Sequence, residues 1–244
     1  MTNIELKKIK TKIQSIDPQR WWGDDFDVRF YLISRLKEFK DLEILDVGGG
    51  IGITSSEIDS SNRRINLDMN VKDLFLCLKK TDEDIHSVCG TSDCLPFRDM
   101  AFDMVVCAHL MDVLKEHDLK KNSVSSDIPS IKKLIDEIFR VLKKNGKLFL
   151  TAPNNAYYKT TKISIDELKN AILPHFPNAK IFFYNTHPRL SKSKRKLNMA
   201  NVIPKVAAKL IDSNKVLHGL LKKYSINNYS VAFFVEATRD NGDL

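Results

Sequence analysis

Four of the nine glycines in this 244-residue chain fall within five positions, in the stretch LEILDVGGGIG, where Gly48, Gly49, Gly50 and Gly52 follow a short apolar run. A strand that turns sharply into a helix while a ligand touches its backbone needs residues without a Cβ, because side chains would occupy the ligand's place. The stretch therefore reads as a ligand-binding junction. From Glu43 onward, short apolar runs alternate with amphipathic stretches, which is the pattern of βα units building a mostly parallel sheet covered by helices. The expected fold class is α/β: a doubly wound, mostly parallel seven-stranded sheet with helices on both faces.

The seven strands are expected at 43–47, 65–69, 87–90, 102–108, 147–152, 181–185 and 230–238, as runs such as EILDV, FDMVVCA and SVAFFVEAT. Asn70 is placed to cap a helix over VKDLFLCLKK, and Ser164 with Glu167 forms a capping box. The clearest helical stripe is Ile131, Leu134, Ile135, Ile138, Val141 and Leu142, with Asn145-Gly146 as its expected stop. Local patterning does not place the last strand, although an antiparallel partner suits it. Residues 1–40 read as an N-terminal helical cap and 41–244 as the main domain, with 186–225 a basic lid or insertion between the last two strands.

With 43% hydrophobic and 29% charged residues, a chain of this length can bury a core without disulfide or metal staples. No apolar run approaches the roughly 18 residues that span a bilayer. The opening MTNIELKKIKTKIQ has no continuous apolar stretch, so no secretory signal is read and a cytoplasmic location is expected. Cys77, Cys89, Cys94 and Cys107 fit no paired zinc spacing and are expected to be reduced. The net charge of +8 is concentrated: residues 186–225 contribute +9 and the rest of the chain −1. Within the basic segment, Ile203, Val206, Ala207, Leu210 and Ile211 form one stripe and Lys205 and Lys209 another. It could pack on the sheet, lie on an anionic membrane surface or hold an anionic acceptor.

Two familiar glycine loops are excluded by spacing. A dinucleotide loop, G-x-G-x-x-G, needs a third glycine where this chain has Ile53, and a phosphate-binding loop needs a Lys after Gly52. What remains resembles D-x-G-x-G-x-G, the first motif of class I S-adenosylmethionine-dependent methyltransferases, with Asp46 before Gly48, Gly50 and Gly52. Backbone N–H groups lining such a loop suit the methionyl carboxylate of S-adenosylmethionine, and Asp46 can compensate its ammonium. Asp68 closes the second strand, where an acid would accept both ribose hydroxyls; its plainer role is to cap the helix starting near Val71.

The resemblance extends through GTSDCLPFRDMAFDMVVCAHLMDVL (90–114) and RVLKKNGKLFLTAPN (140–154), which are similar to the type 11 group of these enzymes. It implies a Rossmann-like methyltransferase fold and a cofactor site drawn from Asp46, Gly48, Gly49, Gly50, Gly52, Asp68, Met69, Thr91, Ser92, Asp93, Cys94 and Ala108. Thr91 stands where the group usually has an acid that meets the adenine amine, with Ser92 or Asp93 as substitutes. Leu95, Pro96 and Phe97 are either an adenine wall or a rigid turn with a core anchor.

Methyl transfer from a sulfonium is an in-line displacement, so alignment and exclusion of water come first and a base is optional. For a hydroxyl acceptor His109 is the leading catalytic candidate, with Asp112 either orienting it or capping the following helix; otherwise His109 is a hydrogen-bonded wall residue. The other histidines are isolated. Trp21, Trp22 and Tyr157, with His109, are the candidate acceptor-pocket residues. No metal-ligand spacing and no nucleophilic triad is found. The implied activity is methylation of a small molecule, acidic or lipid-like. Two rivals are an RNA methyltransferase, for which CAHLM lacks the N/D-P-P-Y signature, and a cofactor-binding module without turnover.

Overall fold

The computed structural model describes residues 26–80, 84–120, 128–155, 162–186 and 230–240. Seven strands form one sheet in the order β3-β2-β1-β4-β5-β7-β6. They are β1 (Glu43–Val47), β2 (Arg63–Asp68), β3 (Ile85–Cys89), β4 (Phe102–Ala108), β5 (Leu142–Pro153), β6 (Lys180–Thr186) and β7 (Ser230–Thr238). The helices are α1 (Phe26–Leu36), α2 (Val71–Lys80), α3 (Met111–Lys120), α4 (Pro129–Val141) and α5 (Ile165–Ile172). β1 to β5 are parallel, and β7 is inserted antiparallel between β5 and β6.

The central strands are buried along nearly their whole length because both sheet faces are covered. On one face Val28, Leu32 and Leu36 of α1 pack on Ile44, Met104, Val106, Phe149 and Phe234. On the other, Ile131, Leu134, Ile135, Ile138 and Val141 of α4 form the expected stripe, fully or almost fully buried against Leu45, Val105, Leu148 and Leu150. α5 begins at Ser164 with the expected capping box, Ser164 accepting from the Glu167 backbone and Glu167 from that of Ser164.

The end of α4 corrects the sequence expectation. The helix stops at Val141, and Leu142 already belongs to β5, opposite Phe102. The stop comes from across the fold: the Arg239 guanidinium donates to the carbonyls of Phe139 and Leu142, both at 2.6 Å, and of Arg140 at 3.2 Å. It thereby satisfies carbonyls that a helix end leaves open. Asn145, in the left-handed region at φ 62°, and Gly146 serve a different turn, exchanging backbone bonds of 2.9 Å with Arg239.

Candidate active site

The loop after β1 alternates left-handed glycines, with φ of 72° at Gly48, 55° at Gly50 and 74° at Gly52. Gly48 N donates to Leu67 O at 2.8 Å, and Asn66 Nδ2 donates to Gly50 O at 2.9 Å, so the loop is tied to β2. The reason for small residues differs from that expected. A Cβ on Gly49 would meet Asn66 Oδ1 and lie 2.7 Å from Asp46 Oδ2, and one on Gly52 would strike Cys77 Sγ. At these two positions the volume is claimed by the protein beneath the loop.

Asp46 lies in that underlying layer, 1% exposed, accepting from Ser55 Oγ at 2.8 Å. Its other oxygen has no hydrogen-bond partner. Burial pushes its carboxyl up to about 6, against the opposing pull of Ser55 and of the Arg29 guanidinium on α1. Asp68 ends β2 and uses both oxygens on the backbone: one accepts from Gly50 N at 2.9 Å, the other from Asn70 N at 2.8 Å. The cap of α2 comes from Asn70, whose side chain accepts from Lys72 N at 3.1 Å.

A cavity of about 240 Å³ opens beside Asp68. It brings together Gly48, Asp68, Met69, Thr91, Ser92 and Asp93 of the expected set, from the ends of β1, β2 and β3. Asp46, Gly49, Gly50, Gly52, Cys94, Ala108 and His109 do not line it. The opposite wall is Leu110, Val113, Leu114 and His117 at the start and along one side of α3, with Ser130 from the first turn of α4. Sequence reasoning missed this wall and classed His117 as isolated. The i, i+4, i+7 spacing of Leu110, Leu114 and His117 puts them on one helix face but does not say which way that face turns.

The turn carrying Thr91 closes through a bridge to Cys94, which is exposed. Leu95 and Phe97 pack into the core, Phe97 edge-on to Phe102 at 4.9 Å, so the Leu-Pro-Phe run is an anchor and not a wall of the cavity beside Asp68. Arg140 fixes the run, donating to the carbonyls of Leu95 and Phe97 and to Glu137 and Asp99, while Glu137 accepts from Leu95 N at 2.7 Å. The Arg140 hydrogen bond holds Glu137 below the ordinary carboxylate range.

His109 sits in the left-handed region at φ 59°, its N–H donating to Thr151 O at 3.0 Å. For a non-glycine residue this costs of order 1 kcal/mol, and among the described residues Asp41, Met100 and Asn145 share it. Asp112 accepts from Lys162 Nζ at 2.6 Å, which makes Lys162 its partner in place of His109. Nearby, Lys115 donates to both oxygens of Glu167 at 2.7 and 2.8 Å, binding α3 to α5. Burial alone would raise Glu167, but the bonds from Lys115 and Ser164 outweigh it and hold the carboxyl low. Among the described residues no group of three His, Cys, Asp or Glu is placed to hold a metal. Trp21, Trp22, Tyr157 and most of 186–225 lie outside the described residues.

No curated protein sequence matches this chain. Residues 45–150 match the type 11 family model described as a methyltransferase domain. Solved structures share the fold at low identity. The N-methyltransferase NodS of Bradyrhizobium japonicum is 10% identical over 90% of this chain and 99% of its own, with a TM-score of 0.58. The YcgJ protein of Bacillus subtilis is 16% identical over 89% and 100%, at 0.55. A SAM-dependent methyltransferase from Methanosarcina mazei is 15% identical over 85% and 97%, at 0.53. The glycine loop, the acid closing β2, the seven-strand order and the family match together place a methyltransferase domain of the type 11 family over residues 45–150 of this chain.

Proposed function

We propose that this enzyme methylates a small-molecule acceptor bearing an acidic or lipid-like group, with the cavity beside Asp68 as its cofactor site. The observation that carries the reading is the meeting of one carboxylate, Asp68, with apolar walls from Met69, Leu110, Val113 and Leu114 in a single cavity. Those residues match the chemistry of a nucleoside: a carboxylate accepts from ribose hydroxyls in charge-assisted bonds, and apolar side chains cover a base. When bound, S-adenosylmethionine supplies an electrophilic methyl group.

The chain's own residues then have assigned tasks. Asp68 uses its remaining lone pairs for the ribose while its bonds to Gly50 and Asn70 hold it in place. Thr91, Ser92 and Asp93 offer polar atoms to the base, replacing the acid usual at 91. The loop from Gly48 to Gly52 takes the amino-acid tail, and Asp46 acts beneath it as a negative charge that favours an ammonium above. Cys94 lies in the turn that carries Thr91, and Ala108 ends β4. His109 serves as base for a hydroxyl acceptor, and Trp21, Trp22 and Tyr157 contribute to the acceptor pocket. Residues 1–40 act as a cap and 186–225 as a basic lid on the 41–244 domain, able to hold an anionic acceptor or membrane surface.

The test is transfer of a tritiated methyl group from S-adenosylmethionine into fractionated cell extract, with calorimetry against S-adenosylhomocysteine alongside. Label in the metabolite or lipid fraction is expected. Label confined to RNA overturns the acceptor class, and tight S-adenosylhomocysteine binding with no label anywhere makes the chain a binding module.

A further inference from the structure

Half of the exposed large apolar side chains among the described residues cluster in ten positions. Met69, Val71, Phe75 and Leu78 are 74%, 63%, 55% and 59% exposed. The cofactor cavity accounts for Met69, which lines it. It does not account for the other three. Val71, Phe75 and Leu78 recur at i, i+4 and i+7 on α2, within about 60° of arc, on a flank distinct from Leu74 and Cys77, which pack inward. An amphipathic helix that has already buried one face has no packing reason for a second apolar stripe.

The stripe is bordered by cations. Lys72 and Lys79 are exposed on the adjoining flank, roughly 80–100° from Val71, and Lys79 Nζ lies 4.4 Å over the Phe75 ring. The helix's only acid is Asp73, half-buried on the other side. We infer that α2 docks on an anionic phospholipid surface, Val71, Phe75 and Leu78 entering the headgroup boundary and Lys72 and Lys79 meeting phosphates. Aliphatic and aromatic side chains beside lysines on one helix are what such a surface selects. A second copy of this chain is a poorer occupant, since antiparallel two-fold pairing of the stripe would bring the lysines of both copies together. Met69 continues the stripe to the cavity mouth, so docking sets that mouth against the bilayer.

Adsorption is read without turnover, which separates this inference from the acceptor's identity. The full chain is sedimented with vesicles of equal parts phosphatidylcholine and phosphatidylglycerol, and with phosphatidylcholine alone. Binding to the mixed vesicles is expected, weakened at least about tenfold by V71Q/F75Q/L78Q. K72E/K79E should remove the preference for the anionic lipid. Both variants should keep wild-type affinity for S-adenosylhomocysteine, which shows that they are folded. Wild-type protein that stays in solution, or a triple variant that sediments as well as wild type, overturns the inference. So does a dimer in sedimentation velocity that the triple variant abolishes.

Discussion

Replacing Asp46 by Asn should make the ligand-free protein more stable at neutral pH and its grip on the cofactor weaker. The carboxyl is 1% exposed, and its ionisation is displaced from an ordinary 3.8 to about 6. Below the lower value it is protonated in folded and unfolded chains alike and costs nothing. As pH rises the unfolded chain ionises first, so folded stability falls between the two values and stays lowered above about 6, by about 3 kcal/mol. Asn cannot ionise, which removes that cost. Its amide nitrogen would lie where Asp46 already has an oxygen without a partner, a penalty of about 1–2 kcal/mol that does not vary with pH. Urea unfolding of both proteins at about pH 4 and about pH 8 isolates the ionisation: the advantage of D46N should grow by roughly 2–3 kcal/mol between them. At the higher pH the variant should bind S-adenosylhomocysteine about tenfold more weakly, having lost a charge behind the loop. An advantage equal at both pH values would refute the reasoning, because the carboxylate would then not be held ionised against burial.

The other expectations concern Asp68, Gly49 and Lys115. D68N should raise the dissociation constant for S-adenosylhomocysteine about 10–100-fold by calorimetry, since one hydrogen bond to a charged group is worth about 1.5–3 kcal/mol. G49A forces a methyl group against Asn66 and Asp46, so it should lower the urea midpoint as well as cofactor affinity, whereas a residue there for the ligand's sake alone would change only the affinity. K115M strands Glu167 and should cost about 3 kcal/mol, recovered in part by E167Q in the same chain. The pair's contribution is present above the ordinary Glu range and is lost as pH falls through the lowered value of the folded state. The acid limb of the K115M stability profile should therefore be flatter than that of wild type.

What was legible in the sequence followed from short-range chemistry. β1, β4 and β7 were read at their observed limits because continuous apolar runs bounded by polar residues leave little freedom. The Asn70 cap and the Ser164–Glu167 box depend on residues two or three apart, and both were read. Where a distant side chain decides, patterning was blind. Arg239 ends α4 from about a hundred residues away, and Leu142 joins the strand because Phe102 is there to pair with it. The site shows the same division. Gly48, Asp68 and Met69 were traceable to strand ends, whereas the α3 wall depends on how that helix rotates over the sheet. Asp46 is expected to compensate an ammonium, and its burial beneath the loop is a depth that spacing does not reveal.

The place of β7 has a consequence for how the chain matures. Translation produces β6 before β7, yet β6 borders only β7 in the sheet, and β7 also completes the second edge of β5. Until Ser230–Thr238 has emerged from the ribosome, two aromatic-rich or aliphatic strands expose unsatisfied backbone, and the Arg239 clamp on α4 does not yet exist. Closure of this half of the sheet thus waits for β7 and is slowed by its long-range pairing, and nascent chains stalled before residue 230 are the species most exposed to aggregation.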